Sequence, residues 1–79
     1  MHLKKPFDGI TVEPGKTGGK PCIRGYRISV EDVLFYLGSY PSHAELLDAF
    51  PELEEEDLRH AVAYATATMR RRYKRQQAA

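Results

Sequence analysis

Residues 19–30 read GKPCIRGYRISV, and they contain the passage from a short strand to the first helix. The two isoleucines of this stretch are five positions apart, so a regular strand would place them on opposite faces. Gly25 lies between them and predicts a bulge or bend that returns both isoleucines to the same face. We therefore expect a second strand within Cys22–Ile28, with a kink between Arg24 and Arg27.

A first strand is predicted upstream, where Ile10-Thr11-Val12 alternates apolar and polar side chains, all of them β-branched. Glycines and prolines then make residues 14–21 a loop. The two strands form a β-hairpin over residues 10–28, preceded by an N-terminal arm over residues 1–9.

The first helix is predicted over residues 30–37, because apolar side chains recur there at helical spacing. Ser29 and Asp32 form a capping-box-like start. Gly38 follows the last apolar residue and is expected to end the helix.

Two more helices follow. Ser42 is the expected N-cap of a short helix over about residues 43–50. The third helix is predicted over about residues 54–75, because one apolar face continues as far as Tyr73. At 1.5 Å per residue it is roughly 33 Å long, so its basic end should protrude from a domain of this size.

Charge is distributed unevenly over the 79 residues, although the net charge is only +1. Residues 1–28 carry six cations against two carboxylates, residues 29–69 carry nine carboxylates against one arginine, and residues 70–79 carry five cations. Such polarity allows a positive surface to face a nucleic acid or an acidic partner. The alternative is that these charges only solvate the surface.

A chain of this size can bury only about 60% of its surface, which leaves room for one small core. We expect a single domain over residues 1–79, in which the helical bundle covers residues 29–69 and a basic helix end or tail covers residues 70–79. The fold class is mainly α: a short hairpin followed by three helices, the last of them long.

No pattern of catalytic or metal-binding residues emerges. Residues 14–21 read PGKTGGKP, which lacks both the first glycine and the Ser or Thr of a phosphate-binding loop. The three histidines have no metal-ligand spacing. The four carboxylates of residues 54–57 lie where the dipole of the third helix favours them. We therefore expect no enzymatic activity, no metal and no cofactor.

Cysteine content and hydropathy indicate a cytoplasmic protein. Cys22 is the single cysteine, so no intrachain disulfide can form. The longest apolar run, Val33–Leu37, is five residues, against roughly 20 for a membrane span. No apolar stretch follows the first residues, so we expect neither a secretory signal nor a membrane partner.

The second and third helices have the layout of a helix-turn-helix, but the tip of the third is acidic. Carboxylates near phosphates repel, so insertion of this helix into the major groove is disfavoured. We expect phosphate contacts from the basic hairpin and one helix residue instead. The predicted nucleic-acid-binding set is Lys16, Lys20, Arg24, Arg27 and Arg59.

The GKPCIRGYRISV motif resembles the domain-of-unknown-function 433 (DUF433) family. The resemblance continues over about residues 10–66 through Leu37-Gly38, Glu45-Leu46-Leu47, Phe50-Pro51-Glu52-Leu53, Glu56-Asp57-Leu58 and Ala63-Tyr64-Ala65. The chain departs from the family pattern at Tyr26, where Thr is usual, and at Glu54, where a Thr or Ser cap is common. The resemblance implies a homeodomain-like helical domain behind a β-hairpin, in proteins regarded as VapB-type antitoxins encoded beside PIN-like ribonuclease toxins.

We therefore expect an antitoxin-like module that binds a toxin and the operator DNA of its own operon. The alternative is a homo-oligomeric adaptor without a nucleic-acid role; a third and weaker alternative is an enzyme subunit. The predicted partner-binding set is Met69, Arg70, Arg71, Arg72, Tyr73, Lys74 and Arg75. A homodimer is also expected, because a two-stranded hairpin has an open edge. Its predicted interface aromatics are Tyr26, Tyr36 and Tyr40.

Overall fold

The computed structural model describes the backbone of residues 4–78 and the side chains of residues 7–74. In chain order its elements are strands β1 (Lys4–Phe7) and β2 (Ile10–Val12), a 3-10 turn (Thr17–Gly19), strand β3 (Cys22–Ile23), and helices α1 (Val30–Ser39), α2 (His43–Ala49) and α3 (Glu55–Ala78). The predicted mainly helical fold, with an N-terminal antiparallel hairpin and a long last helix, is confirmed.

The three strands form one antiparallel sheet in the order β1-β2-β3. Ile10 pairs with Ile23, which is the predicted hairpin pairing. The sequence predicts only an arm over residues 1–9, whereas the structure adds β1, whose Phe7 pairs with Ile10. Strand β1 lies at the edge of the sheet, the position at which a strand tolerates a proline such as Pro6.

Arg24 and Gly25 form the tight turn that follows β3. Their φ angles are 41° and 80°, and the N–H of Tyr26 donates to the carbonyl oxygen of Ile23 at 2.7 Å. Positive φ at both central residues is the pattern of a type I′ turn, which glycine adopts easily and arginine does not. The predicted kink is confirmed, but the regular strand is only two residues long.

Side-chain caps define the starts of α1 and α2. The Oγ of Ser29 accepts from the N–H of Asp32 at 3.0 Å, and the carboxylate of Asp32 accepts from the N–H of Ser29 at 3.2 Å. This is the predicted capping box. The Oγ of Ser42 accepts from the N–H of Glu45 at 3.2 Å, so the predicted N-cap of α2 is also confirmed.

Helix α1 continues past Gly38, so the prediction that this glycine ends the helix is wrong. The last residue is Ser39, whose hydroxyl donates to the carbonyl oxygen of Phe35 at 2.7 Å. That hydrogen bond satisfies a carbonyl near the end of the helix, where intrahelical partners run out.

One hydrophobic core joins the sheet to all three helices. Its buried members are Ile10, Ile23, Val30, Val33, Leu46, Leu53, Leu58 and Ala61. Helix α3 contributes Leu58 and Ala61 from its first half, whereas every residue from Met69 to Lys74 is exposed. The C-terminal part of α3 therefore extends beyond the core.

Candidate functional site

Four of the five cations predicted to bind nucleic acid form ion pairs within the chain. The pairs are Lys16 with Glu13 at 2.6 Å, Lys20 with Glu31 at 3.0 Å, Arg24 with Asp57 at 2.8 Å and Arg59 with Glu56 at 3.8 Å. Arg27 is exposed and forms none of the ion pairs found among the described side chains. The structure therefore places the set around the hairpin and the start of α3, but with much of its charge already balanced.

Arg24 is the most constrained of these cations. Its Nε donates to Oδ1 of Asp57 and its Nη2 to Oδ2, each at 2.8 Å, while Nη2 also donates to the carbonyl oxygen of Glu52 at 2.9 Å. The guanidinium carbon lies 5.1 Å from the ring centroid of Tyr26. A bidentate arginine-carboxylate pair is directional as well as strong. This contact therefore ties the hairpin turn to the start of α3.

Asp57 is buried at 2% exposure and also accepts from the N–H of Glu54 at 2.8 Å. Burial raises the pKa of its carboxyl, but the hydrogen bonds from Arg24 and from the Glu54 N–H outweigh burial, so that the pKa lies below its ordinary value. The same bond raises the pKa of Arg24. Both groups are charged at neutral pH, and the pair belongs to the structure of the hairpin.

The C-terminal part of α3 has the opposite character. Arg70, Arg71, Arg72 and Lys74 are exposed, and none of them forms an ion pair with another described side chain. Arg75 completes the predicted partner-binding set, but its side chain lies outside the described residues. This end of the helix therefore carries four exposed cations within five residues.

Apolar side chains accompany these cations. Val62, Met69 and Tyr73 are 45%, 51% and 55% exposed. Their spacing of seven and four residues places them on one face of α3. We call this face the α3 stripe; Met69 and Tyr73, which were predicted to bind a partner, belong to it.

Two open apolar grooves adjoin α3. The first groove, of about 480 Å³, is lined by Leu37, His43, Leu58, Arg59, Val62 and Ala63. The second groove, of about 320 Å³, lies beside the start of α1, with Val30, Leu34, Ala65 and Met69 in its lining. The grooves were not predicted, because they depend on how α1 packs against α3 and not on either helix alone.

The tyrosines predicted to form a dimer interface make contacts within the chain. Tyr36 stacks on Phe50 with a centroid distance of 4.3 Å, and Tyr40 meets the same ring edge-on at 6.1 Å. Both are half-buried at the margin of the core. Tyr26 is 39% exposed and lies beside the Arg24 guanidinium.

The partner role of Asp57 was not predicted, because Asp57 and the three preceding glutamates all suit the N-terminal end of the helix dipole. The structure separates them, because Asp57 is buried and residues 54–56 are exposed. A signal was available: an acid three residues after Glu54 occupies the capping-box position of a helix that starts there.

Neither a metal centre nor a membrane span is found in the part of the chain that the structure describes. Its side chains contain no group of three or more His, Cys, Asp or Glu residues arranged to hold a metal ion. Its helices are too short or too polar to cross a bilayer.

Family, sequence and structure comparisons each relate this chain to known proteins. A family profile described as "Protein of unknown function (DUF433)" matches residues 10–65. The chain is 38% identical over 58 residues to the uncharacterized protein y4eO of Sinorhizobium fredii, and it spans only about a quarter of that relative (73% of this chain, 26% of the relative). A crystal structure of a DUF433 member from Anabaena variabilis is 32% identical, with a TM-score of 0.70 over 90% of this chain and 69% of that one.

Proposed function

The chain belongs to the DUF433 family of proteins of unknown function, and we propose that it is an antitoxin-like module that binds a PIN-like ribonuclease toxin and the operator DNA of its own operon. In this proposal the chain catalyses nothing. Its toxin contact is the C-terminal part of α3. The residues assigned to that contact are Met69, Arg70, Arg71, Arg72, Tyr73, Lys74 and Arg75.

The observation that carries the proposal is the exposed, unbalanced charge at this end of α3. The described cations there have no acidic partner among the described side chains. They also lie beyond the part of α3 that packs in the hydrophobic core. Cations that are not needed for folding remain available to a second molecule.

The chemistry of the expected partner fits these groups. Ribonucleases of the PIN type hold divalent metal ions with clustered carboxylates, and guanidinium groups bind carboxylates through paired, charge-assisted hydrogen bonds. The exposed Met69 and Tyr73 would supply apolar contact, while the arginines fix register and speed association. Docking this end into such an acidic pocket would block access of RNA.

The test is inhibition of RNA cleavage by the nuclease-like protein encoded in the adjacent gene. We expect the full chain to inhibit it and a chain truncated after Met69 to fail at equal concentration. A variant that lacks four positive charges at the helix end should also fail to inhibit the nuclease. Its substitutions are Arg70→Gln, Arg71→Gln, Arg72→Gln and Lys74→Gln.

A charge-matched control removes the same number of cations elsewhere and should still inhibit. Its substitutions are Lys4→Gln, Lys5→Gln, Lys20→Gln and Arg27→Gln. Inhibition by the truncated chain would refute the docking site. If no nuclease-like protein is encoded beside the chain, the proposed toxin partner is lost altogether.

The DNA part of the proposal rests on the remaining cations of the hairpin. Arg27 and Lys20 are exposed, and the exposed ion pair of Lys20 with Glu31 can exchange with phosphate, because surface pairs contribute little free energy. Arg24 instead serves the fold. Phosphate contact through so few cations predicts weak binding with modest sequence preference.

A second candidate function is the homo-oligomeric adaptor without a nucleic-acid role. The intrachain ion pairs of Lys16, Lys20, Arg24 and Arg59 favour it, because balanced charges release fewer counterions from DNA. The two functions differ in one measurement: an adaptor does not bind a duplex from its own upstream region at any salt concentration that keeps the protein folded.

A further inference from the structure

The α3 stripe is only partly covered by the part of the chain that the structure describes. Val62, Met69 and Tyr73 are each about half exposed along one helix face; Val62 lines the first groove and Met69 lines the second. Exposed apolar side chains that follow one face of a long helix are typical of surfaces that pack against another helix.

The exposed ring of Tyr73 and the first groove could form a knob and a hole between two molecules. Tyr73 projects from the far end of the stripe, while the first groove opens at the near end, between Leu58 and Val62. Within one molecule they cannot meet, because the α3 residues that line the first groove lie ten or more residues before Tyr73 on the same helix. A second copy of the chain supplies each surface with its complement.

Charge decides the orientation of that second copy. Helix α3 starts after Glu54 with the exposed Glu55 and Glu56, and its C-terminal part carries the exposed cations of residues 70–74. Parallel packing would place like charges together at both ends, whereas antiparallel packing places each basic end beside an acidic start.

We propose that two copies of this chain form a twofold dimer in which their α3 helices pack antiparallel along the stripe. An axis between Ala65 and Thr66 places Met69 opposite Val62 of the second copy and Tyr73 opposite Leu58, at the mouth of the first groove. The same register brings Lys74 within one turn of Glu55 and Glu56.

The crossing point suits this arrangement. Ala65 and Thr66 are small, so the two helices can approach closely where they cross. Arg59 lies at the rim of the groove, where its guanidinium can stack on the incoming Tyr73 ring. Each contact occurs twice, as closed twofold symmetry requires.

This dimer goes beyond the proposed function and does not depend on a toxin. It places the interface on α3, away from Tyr36 and Tyr40, which pack against Phe50. Since the α3 stripe includes Met69 and Tyr73, a toxin that docks there competes with the second copy.

The first test is sedimentation of the full chain at micromolar concentration. We expect a mass close to twice the 9.0 kDa of one chain, and weaker association at high salt. Tyr73→Ala should weaken association by about tenfold or more, because it removes the anchor of each groove. Phe35→Ala is the matched control: it removes an aromatic ring that is 70% exposed but lines neither groove, and it should change nothing.

The second test establishes direction by oxidation of single-cysteine additions. A mixture of Val62→Cys and Met69→Cys chains should form the mixed disulfide, and neither chain alone should cross-link efficiently. The native Cys22 is 2% exposed and does not interfere. A monomeric full chain, an effect of Phe35→Ala equal to that of Tyr73→Ala, or homodisulfides in each separate variant would overturn the proposal.

Discussion

The guanidinium of Arg24 and the carboxylate of Asp57 are joined by two hydrogen bonds of 2.8 Å, although 33 residues separate them in the chain. Because Asp57 also accepts from the N–H of Glu54, one buried carboxylate both caps α3 and holds the hairpin turn. Arg24 makes this contact from a positive φ of 41°, a conformation that a non-glycine residue adopts at a cost.

Arg24→Ala is expected to lower the free energy of unfolding by about 2–3 kcal/mol, because it leaves the buried Asp57 carboxylate without its cation. This loss is at or below the low end of the range for removing one partner of a buried ion pair, since the Arg24 side chain is 37% exposed. Urea denaturation measures it. Arg24→Lys should recover only part of the loss, because an ammonium cannot form the bidentate contact.

Arg59→Ala is the control for this comparison. Its pair with Glu56 has an N–O distance of 3.8 Å, and both side chains are more than 60% exposed, so the loss should be below about 0.5 kcal/mol. Equal losses for the two variants would show that Arg24 stabilises the fold no more than a surface pair does.

Acid should destabilise the protein through Asp57. Its pKa is lowered in the folded state relative to an unfolded value of about 3.9. The stabilisation is therefore complete above that value and is lost as the pH falls through the lower folded pKa. Urea denaturation at a series of pH values should show this fall in the intact chain.

Asp57→Asn is the reference, because it cannot titrate at this position. It should be less stable at neutral pH and lose less stability on acidification than the intact chain. If both proteins lose stability in parallel between about pH 5 and pH 2, other carboxylates account for the acid sensitivity.

Gly9→Ala should destabilise the protein strongly. Gly9 has a φ of 75°, and a Cβ there would collide with the imidazole of His60 on α3. The combined cost of strain and overpacking is about 2–4 kcal/mol. Gly18→Ala is a matched control, because Gly18 has a similar φ of 69° but open space around its Cα.

The difference between these two alanine variants in thermal or urea denaturation isolates the contact with His60. A loss of about 1 kcal/mol is expected for Gly18→Ala from its backbone alone. Equal losses would mean that the imidazole moves aside without cost.

The helices could be predicted because their signals are local. Ser29 and Ser42 lie at the caps that their positions indicated, and the apolar spacing that follows each of them produced a helix. Strand β1 was missed for the opposite reason. Two lysines and a proline make a poor strand by propensity, and its formation depends on pairing with β2 and on the edge contact between Phe7 and Tyr64 at 5.9 Å.

The charged residues of the candidate site could be predicted from the sequence, but their ion-pair partners could not. The basic residues 70–74 were identified as a protruding end, and they are exposed beyond the core. The hairpin cations are predicted as available charges because the sequence does not show which carboxylate approaches them. For Arg24 that carboxylate is Asp57, on the last helix, and only the folded chain brings the two together.

Binding of the proposed operator DNA should depend steeply on salt. Two chains that neutralise about six phosphates together give a slope of roughly −5 for log affinity against log salt. Removing Lys20 and Arg27 by alanine substitution should flatten that slope by about 3–4, since a dimer loses four cations. Fluorescence anisotropy with a duplex from the chain's own upstream region measures the slope.

Arg71→Gln with Arg72→Gln removes the same charge from the end of α3 and should leave the slope unchanged. A slope flattened only by this second pair would move the phosphate contacts from the hairpin to the helix end.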